Sequence, residues 1–408
     1  MKRVVVIGAG AAGTMAAIFA ATAGAETVLL ERTRDGGRKI LISGGGRCNV
    51  LPSELDESRF VTDSSPNTLR KMVRSWPLAE QQAFFEQAVG IPLVEETESR
   101  KLFPASHKAR DVRDGLLALA RRRGASIVTD THVTDISPDD AGWTVSCAGV
   151  PAFEADAVII ATGGLSVPMT GSDGTGLRVA ERLGHTMHTT YAALTPLVAI
   201  PPPYASLAGV SLGVTLTAKS GVREATATGG FLFTHIGYSG PSVLDVSYVA
   251  VRSRAERDET PALVTVRWTA LGDKEWSERL EPRGARTVTG ALRAELPDRL
   301  ADVLIATARV APDRALSQLT RDERQRLIGT LVRGALPWTS DEGYKKAEVT
   351  GGGVSLAEID PRTMESRRCP GLYLCGEVLD AFGPIGGYNF LWAWATGRAA
   401  GLGAARPA

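Results

Sequence analysis

The stretch Val4–Thr33 reads VVVIGAGAAGTMAAIFAATAGAETVLLERT, and its interpretation decides the fold. Val4 to Ile7 are four β-branched apolar residues, the composition of a strand buried on both faces. Gly8, Gly10 and Gly13 follow as G-x-G-x-x-G. Ala11 to Ala23 is rich in small residues and helix-prone, and Thr27 to Leu30 is a second apolar run closed by Glu31. Strand, glycine turn, helix, strand and acid within about 30 residues make up the βαβ grip on a dinucleotide. Gly8 permits the tight turn, Gly10 lets backbone approach a pyrophosphate, and Gly13 lets helix and strand pack closely. The helix start at Ala11 and Ala12 offers free N–H groups and partial positive charge to phosphate. Glu31 is placed to accept from a ribose diol, with Arg32 beside it.

An oily run after Lys2 and Arg3 also resembles a signal peptide or a membrane anchor. A span wants about 20 apolar residues with few breaks. Here Gly8, Gly10, Gly13 and Gly24 interrupt the run, and LLERTRDGGRK follows it instead of a small-residue cleavage site. The dinucleotide reading prevails.

The 408 residues are 44% hydrophobic and 22% charged with net charge +1, which predicts a globular protein of two or three domains. Near-zero net charge argues against a nucleic-acid binder held by phosphate contacts. The triplet Arg121 to Arg123 reads as a solvated helix end. Cys48, Cys147, Cys369 and Cys375 form no C-x-x-C, so neither a dithiol reductase nor a zinc ribbon is expected. No H-x-x-x-H or acidic cluster suggests a metal. A cytoplasmic protein with free thiols is expected.

Further along, GGRKILISGGGRCNV is Gly- and Arg-rich and reads as a loop. Helical periodicity runs from Leu69 to Val89 and from Val112 to Arg122, and Ser126 to Thr134 reads as a strand. Ala157 to Ala161 in FEADAVIIATGG is a further buried strand with its carboxyl end near the ligand. From about Thr190 the chain turns Pro/Gly-rich with alternating apolar positions, as antiparallel strands do. A charged Leu/Ala/Arg-rich helical stretch follows from Trp276 to Gly334. Nucleotide-domain style returns at CPGLYLCGEVLDAFGPIGGYNFLWAWATGRAAG. The expected divisions are 1–189, a first part of the nucleotide domain; 190–275, a β-rich cap; 276–335, a small helical domain; and 336–408, a return through the β-rich domain to the nucleotide domain.

These patterns together resemble the YhiN/BaiN-like FAD-dependent flavoproteins, also called the aminoacetone oxidase family or NAD(P)/FAD-dependent oxidoreductases. The resemblance runs nearly end to end through VVIGAGAAG (Val5–Gly13), GRKILISGGGRCNV (Gly37–Val50), ATGG (Ala161–Gly164) and GSDGTG (Gly171–Gly176). FLFTHIGYSGP (Phe231–Pro241), AEVTGGGV (Ala347–Val354) and GLYLCGEVLDAFGPIGGYNFLWAWATG (Gly371–Gly397) complete it. It implies an α/β fold: a discontinuous Rossmann-like FAD-binding domain with an inserted β-rich domain and a small helical domain.

Cofactor-binding candidates beyond the first motif follow from these segments. Ser43, Gly44, Gly45, Gly46, Arg47, Cys48 and Asn49 offer successive backbone N–H groups to a pyrophosphate or flavin edge. Arg47 suits phosphate, substrate or a surface ion pair; Cys48 is a redox thiol or a packing residue; Lys39 contacts phosphate or is solvated. Val133, Ala161, Thr162 and Gly163 are placed on the cofactor side. By resemblance, Gly376 and Glu377 hold the ribityl chain or pyrophosphate. Gly386, Gly387, Tyr388 and Asn389 open a last helix whose N-terminus would stabilise a reduced isoalloxazine. Trp392 and Trp394 read as packing residues. Proton-transfer candidates are His235, Tyr238 and Tyr388, which sit in family-like loops.

The function read from these features is FAD-dependent oxidation–reduction of a small organic substrate, with NADH or NADPH as a transient donor and a C=C bond as acceptor. Oxidation of an aminoacetone-type amine with O2 is the competing chemistry. A non-catalytic flavin redox sensor is the alternative of another class, and a tRNA-modifying flavoprotein is disfavoured by charge. Neither membrane nor nucleic-acid partners are expected.

Overall fold

The computed structural model describes residues 1–139, 142–256 and 260–407. β1 (Arg3–Ile7) lies inside a five-stranded, all-parallel sheet with β2 (Glu26–Leu30), β3 (Ser126–Val128), β4 (Ala157–Ile160) and β5 (Leu372–Leu374), in the order β5-β4-β1-β2-β3. Register pairs Val5 with Val158 on one side and Val28 on the other. The continuous apolar runs of β1, β4 and β5 answer to burial on both faces, where alternation has no solvent side to serve.

The β1–β2 crossover is α1 (Ala11–Thr22), whose partner is the long helix α4 (Tyr388–Ala404) at the other end of the chain. Both helices are apolar around most of their circumference because both are buried. Their approach depends on glycine: a Cβ on Gly397 or Gly401 would meet Ala12 O or Ala16 O at 2.3 Å. The GGRK segment holds a short helix, α2 (Arg38–Ile42), and a tight turn at Ser43–Gly46 where a loop was expected. Pro77 divides the Leu69–Val89 periodicity between α3 (Pro66–Val73) and Leu78–Ala83, since proline removes an N–H and clashes with the preceding turn. The strand expected over 126–134 is two: β3, and Val133–Asp139 in a separate antiparallel sheet. Left-handed Asp130 turns the chain between them, and Thr131 N donates to Glu31 O.

The chain separates into two compact units, 1–190 with 348–408, and 191–347. The second is built on a seven-stranded sheet centred on Ser211–Ser220 and Arg223–Phe233, paired antiparallel in a long hairpin. Val214, Leu216 and Ala218 point inward while Thr215 and Thr217 alternate outward, the pattern of a sheet with one covered face. Helix Pro241–Ala255 packs on this hairpin, and helices Asp273–Arg279, Val288–Arg293, Asp298–Thr307 and Arg321–Arg333 share its hydrophobic core. Among the described residues, no helix is long and apolar enough to cross a membrane.

Candidate functional site

The chain runs from β1 through β2 to β3 on one side and then crosses to β4 on the other side of β1, so the switch in strand order falls at the carboxyl ends of β1 and β4. The glycine turn stands there. Gly8 has φ +102°, and a Cβ on it would lie 2.6 Å from Ala161 O. A Cβ on Gly13 would meet Gly8 O at 1.9 Å, whereas one on Gly10 meets nothing within 4 Å. Gly8 and Gly13 are therefore demanded by packing, whereas the face of Gly10 is open among the described residues. No side chain caps the N-terminus of α1, so the first-turn N–H groups of Ala11, Ala12 and Gly13 face this opening. Glu31 is buried; its Oε2 accepts from Ala9 N (2.8 Å) and its Oε1 from Thr33 N (2.7 Å) and Thr33 Oγ1 (2.6 Å). Arg32 ion-pairs with Asp173 of the GSDGTG turn.

After β4, Ala161 N donates to Ile7 O, and Thr162 and left-handed Gly163 carry the chain onward. Val133 is buried in its strand. In SGGGRCN, Gly44, Gly45 and Gly46 are successively left-handed, and a Cβ on Gly45 would also meet open space. The side chains around them are engaged by other parts of the protein. Arg47 pairs with Glu96 (2.9 Å) and sits 4.2 Å over the Phe103 ring, the ion-pair alternative. Cys48 is fully buried, and burial, opposed by a Ser43 hydrogen bond, pushes its thiol up to about 12; it packs. The Asn49 amide accepts from Gly387 N (3.1 Å) and donates to Leu51 O (3.2 Å), tying this loop to the last helix.

Lys39 is neither a solvated loop lysine nor free to reach phosphate unaccompanied. From α2 its Nζ donates to Glu377 Oε2 (2.7 Å) and Ser166 Oγ (2.6 Å). Glu377 Oε1 accepts from Ser166 Oγ (2.5 Å), Thr350 N (2.9 Å) and Thr350 Oγ1 (2.9 Å). Burial pushes the Glu377 carboxyl up, but the Lys39 charge and these hydrogen bonds outweigh it and hold the group below its usual range. Ser166 and Thr350 were not singled out from sequence; they follow ATGG and lie in AEVTGGGV, two of the family-like segments.

At the last helix, Gly386 and Gly387 are left-handed, and no side chain caps the N-terminus of α4. Tyr388 is a staple: its Oη accepts from Asp56 N (3.2 Å) and donates to Glu54 O (3.4 Å). Its ring packs on Phe60, with the Arg59 guanidinium 5.3 Å from the centroid. Asn389 braces the approaching loop through Gly383 N and Gly383 O, both at 2.9 Å. Trp392 Nε1 donates to Gly376 O and Trp394 Nε1 to Val50 O, each at 3.0 Å, so both buried indoles also fasten loops. His235 and Tyr238 belong to the 191–347 unit. His235 is exposed in a tight hairpin turn, while Tyr238 is buried among Tyr204, Phe231 and Phe233 with no hydrogen-bond partner for its Oη among the described residues.

Residues 2–403 match the model of the HI0933-like protein Rossmann domain. The chain belongs to this family. It is 32% identical over 406 residues to a ribosomal RNA dihydrouridine synthase of Escherichia coli (strain K12), covering 96% of this chain and 95% of that one. It is also 32% identical over 416 residues to a 3-dehydro-bile acid delta(4,6)-reductase of Clostridium scindens, covering 99% of each. Among solved structures, 3-ketosteroid delta1-dehydrogenase from Sterolibacterium denitrificans superposes with a TM-score of 0.53 at 12% identity over 99% of both chains, a likeness of fold. The HI0933-like chain is thus an FAD-dependent oxidoreductase. Its open Gly10 face, uncapped α1 and buried Glu31 fit the adenosine diphosphate half of FAD.

Proposed function

We propose that this protein uses FAD to reduce a carbon–carbon double bond conjugated to a carbonyl, drawing electrons from NADH or NADPH. The observation that carries this is the convergence of two full-length relatives at equal identity. Dihydrouridine is uridine with its ring C=C saturated, and that bond is conjugated to a carbonyl. A 3-keto delta(4,6) substrate presents the same unit. Such an acceptor takes a hydride at the carbon remote from the carbonyl and a proton at the near one, and FAD when bound supplies the hydride. An amine oxidase would draw electrons from its substrate instead of a nicotinamide.

Two acceptor classes share this chemistry, a small enone and a uracil base in RNA. A specific feature supports the second. Asn67, Arg70, Lys71 and Arg74 line an open cavity of about 430 Å³ on one face of α3, although Arg74 also pairs with Glu57. A local basic face of this kind suits phosphate contacts despite the neutral whole chain.

The test is anaerobic reduction of the purified flavoprotein by NADH or NADPH, followed by a 3-keto-4,6-diene steroid or a uridine-containing RNA. Bleaching of the flavin by a nicotinamide, and two hydrogens gained by either acceptor, supports the reading. Flavin reduced only by an amine, with O2 uptake once air is admitted, overturns it. Arg70→Glu with Lys71→Glu separates the acceptors, since it weakens turnover of RNA and spares the steroid.

A further inference from the structure

Ligand-facing groups on the carboxyl edge of the parallel sheet occur in sheet order. Glu31 follows β2, the glycine turn follows β1, Thr162 to Gly164 follow β4, and Gly376 and Glu377 follow β5. If ribose is held at Glu31 and pyrophosphate at the N-terminus of α1, the groups after β4 and β5 are the ones left to hold the ribityl and isoalloxazine half of FAD. The acid there, Glu377, is the residue the family resemblance assigns to the cofactor.

Its hydrogen bonds argue otherwise. An ionised carboxylate offers about four lone-pair sites. Ser166 Oγ and both Thr350 donors crowd Oε1, and Lys39 Nζ takes one of the two sites on Oε2, so most of the acceptor capacity is spent within the protein. Lys39 is different. An ammonium has three N–H donors, of which two go to Ser166 and Glu377. Its side chain is also the more exposed pole of the pair, at 26% against 16% for Glu377. Among the described residues, the pair thus leaves one ammonium donor unspent, on its more exposed member.

We propose that Lys39 is the cofactor contact at this end of the crevice, donating to the ribityl–isoalloxazine half of FAD, and that Glu377 is a positioning residue acting through Lys39. Ser166 and Thr350 complete the mount by fixing the carboxylate. This rests on the chain's being an FAD protein and is independent of the acceptor.

The experiment titrates the full chain, freed of flavin, with FAD and with ADP. Lys39→Met should raise the FAD Kd roughly tenfold or more, as loss of a charge-assisted hydrogen bond does, and leave the ADP Kd within about twofold. Lys39→Arg should recover part of the loss, and Glu377→Gln should weaken FAD selectively and by less. Retained ADP binding also shows that each variant is folded. Unchanged FAD affinity in Lys39→Met overturns the proposal, as does an equal loss for FAD and ADP, which would place Lys39 on the pyrophosphate or make it structural. If the unsubstituted chain took up no FAD, the family reading would fall with it; normal uptake beside an unaffected Lys39→Met would overturn this assignment alone.

Discussion

Ala9 N donates to Glu31 Oε2 at 2.8 Å, fastening the acid after the second strand to the glycine turn after the first. The carboxylate holds the turn, and the proposed cofactor site adds a ribose to what it serves. Glu31→Ala removes three hydrogen bonds to a charged group in a buried place. Stability should fall by about 1.5–3 kcal/mol in urea denaturation. FAD and ADP should weaken together, in contrast to Lys39→Met.

Gly10 and Gly13 should respond in opposite ways. Gly13→Ala sets a Cβ 1.9 Å from Gly8 O, a backbone atom that cannot swing aside, and should cost about 1–3 kcal/mol or more. Gly10→Glu meets open space and should keep the fold, with a circular dichroism melt near that of the parent. It should nevertheless purify without FAD, because its carboxylate fills and repels the pyrophosphate position. Full flavin content in Gly10→Glu would refute the assignment.

Acid should destabilise the protein in two stages. His185 Nδ1 lies 2.9 Å from Glu358 Oε2, and its Nε2 lies 3.0 Å from Ser366 Oγ. Burial holds His185 below its usual 6.5, against the opposing pull of Glu358. Burial pushes Glu358 up, but hydrogen bonds from Arg368, Thr186 and His185 prevail and hold it at about 2. An unfolded chain takes up the histidine proton near 6.5 and the carboxyl proton near 4.5, while the folded chain resists both. Stability is therefore full above about 6.5 and declines below it, then declines further as pH falls from 4.5 toward 2. Melting temperature against pH checks this, and His185→Gln should abolish the first stage alone.

Tyr388→Phe keeps the ring on Phe60 and removes only the Oη links to Glu54 O and Asp56 N. We expect a loss of about 1 kcal/mol in stability and no change in the pH profile of turnover. A displaced pH profile would restore Tyr388 as a proton-transfer group.

Much of the first βαβ unit was legible because its logic is local. Val4 to Ile7, the three glycines and Glu31 lie within one βαβ unit, so spacing along the chain is also spacing in space. The roles of Lys39, Arg47 and Cys48 were left open, because each depends on neighbours brought by another segment: Glu377, Glu96 and the surrounding core. Tyr388 and Asn389 were assigned to the cofactor from position alone, yet their side chains brace loops.

By itself the sequence determined the βαβ unit at the start of the chain, the β-rich character after Thr190 and the return to the parallel sheet near the end. Periodicity and glycine spacing act over a few residues, and these features need nothing more. Only the tertiary structure decided that Gly397 and Gly401 seat the last helix against Ala12 and Ala16, or that Lys39 and Glu377, 338 positions apart, form one ion pair. Such pairings depend on which surfaces exclude water together, and that follows from packing the whole sheet rather than from any single stretch.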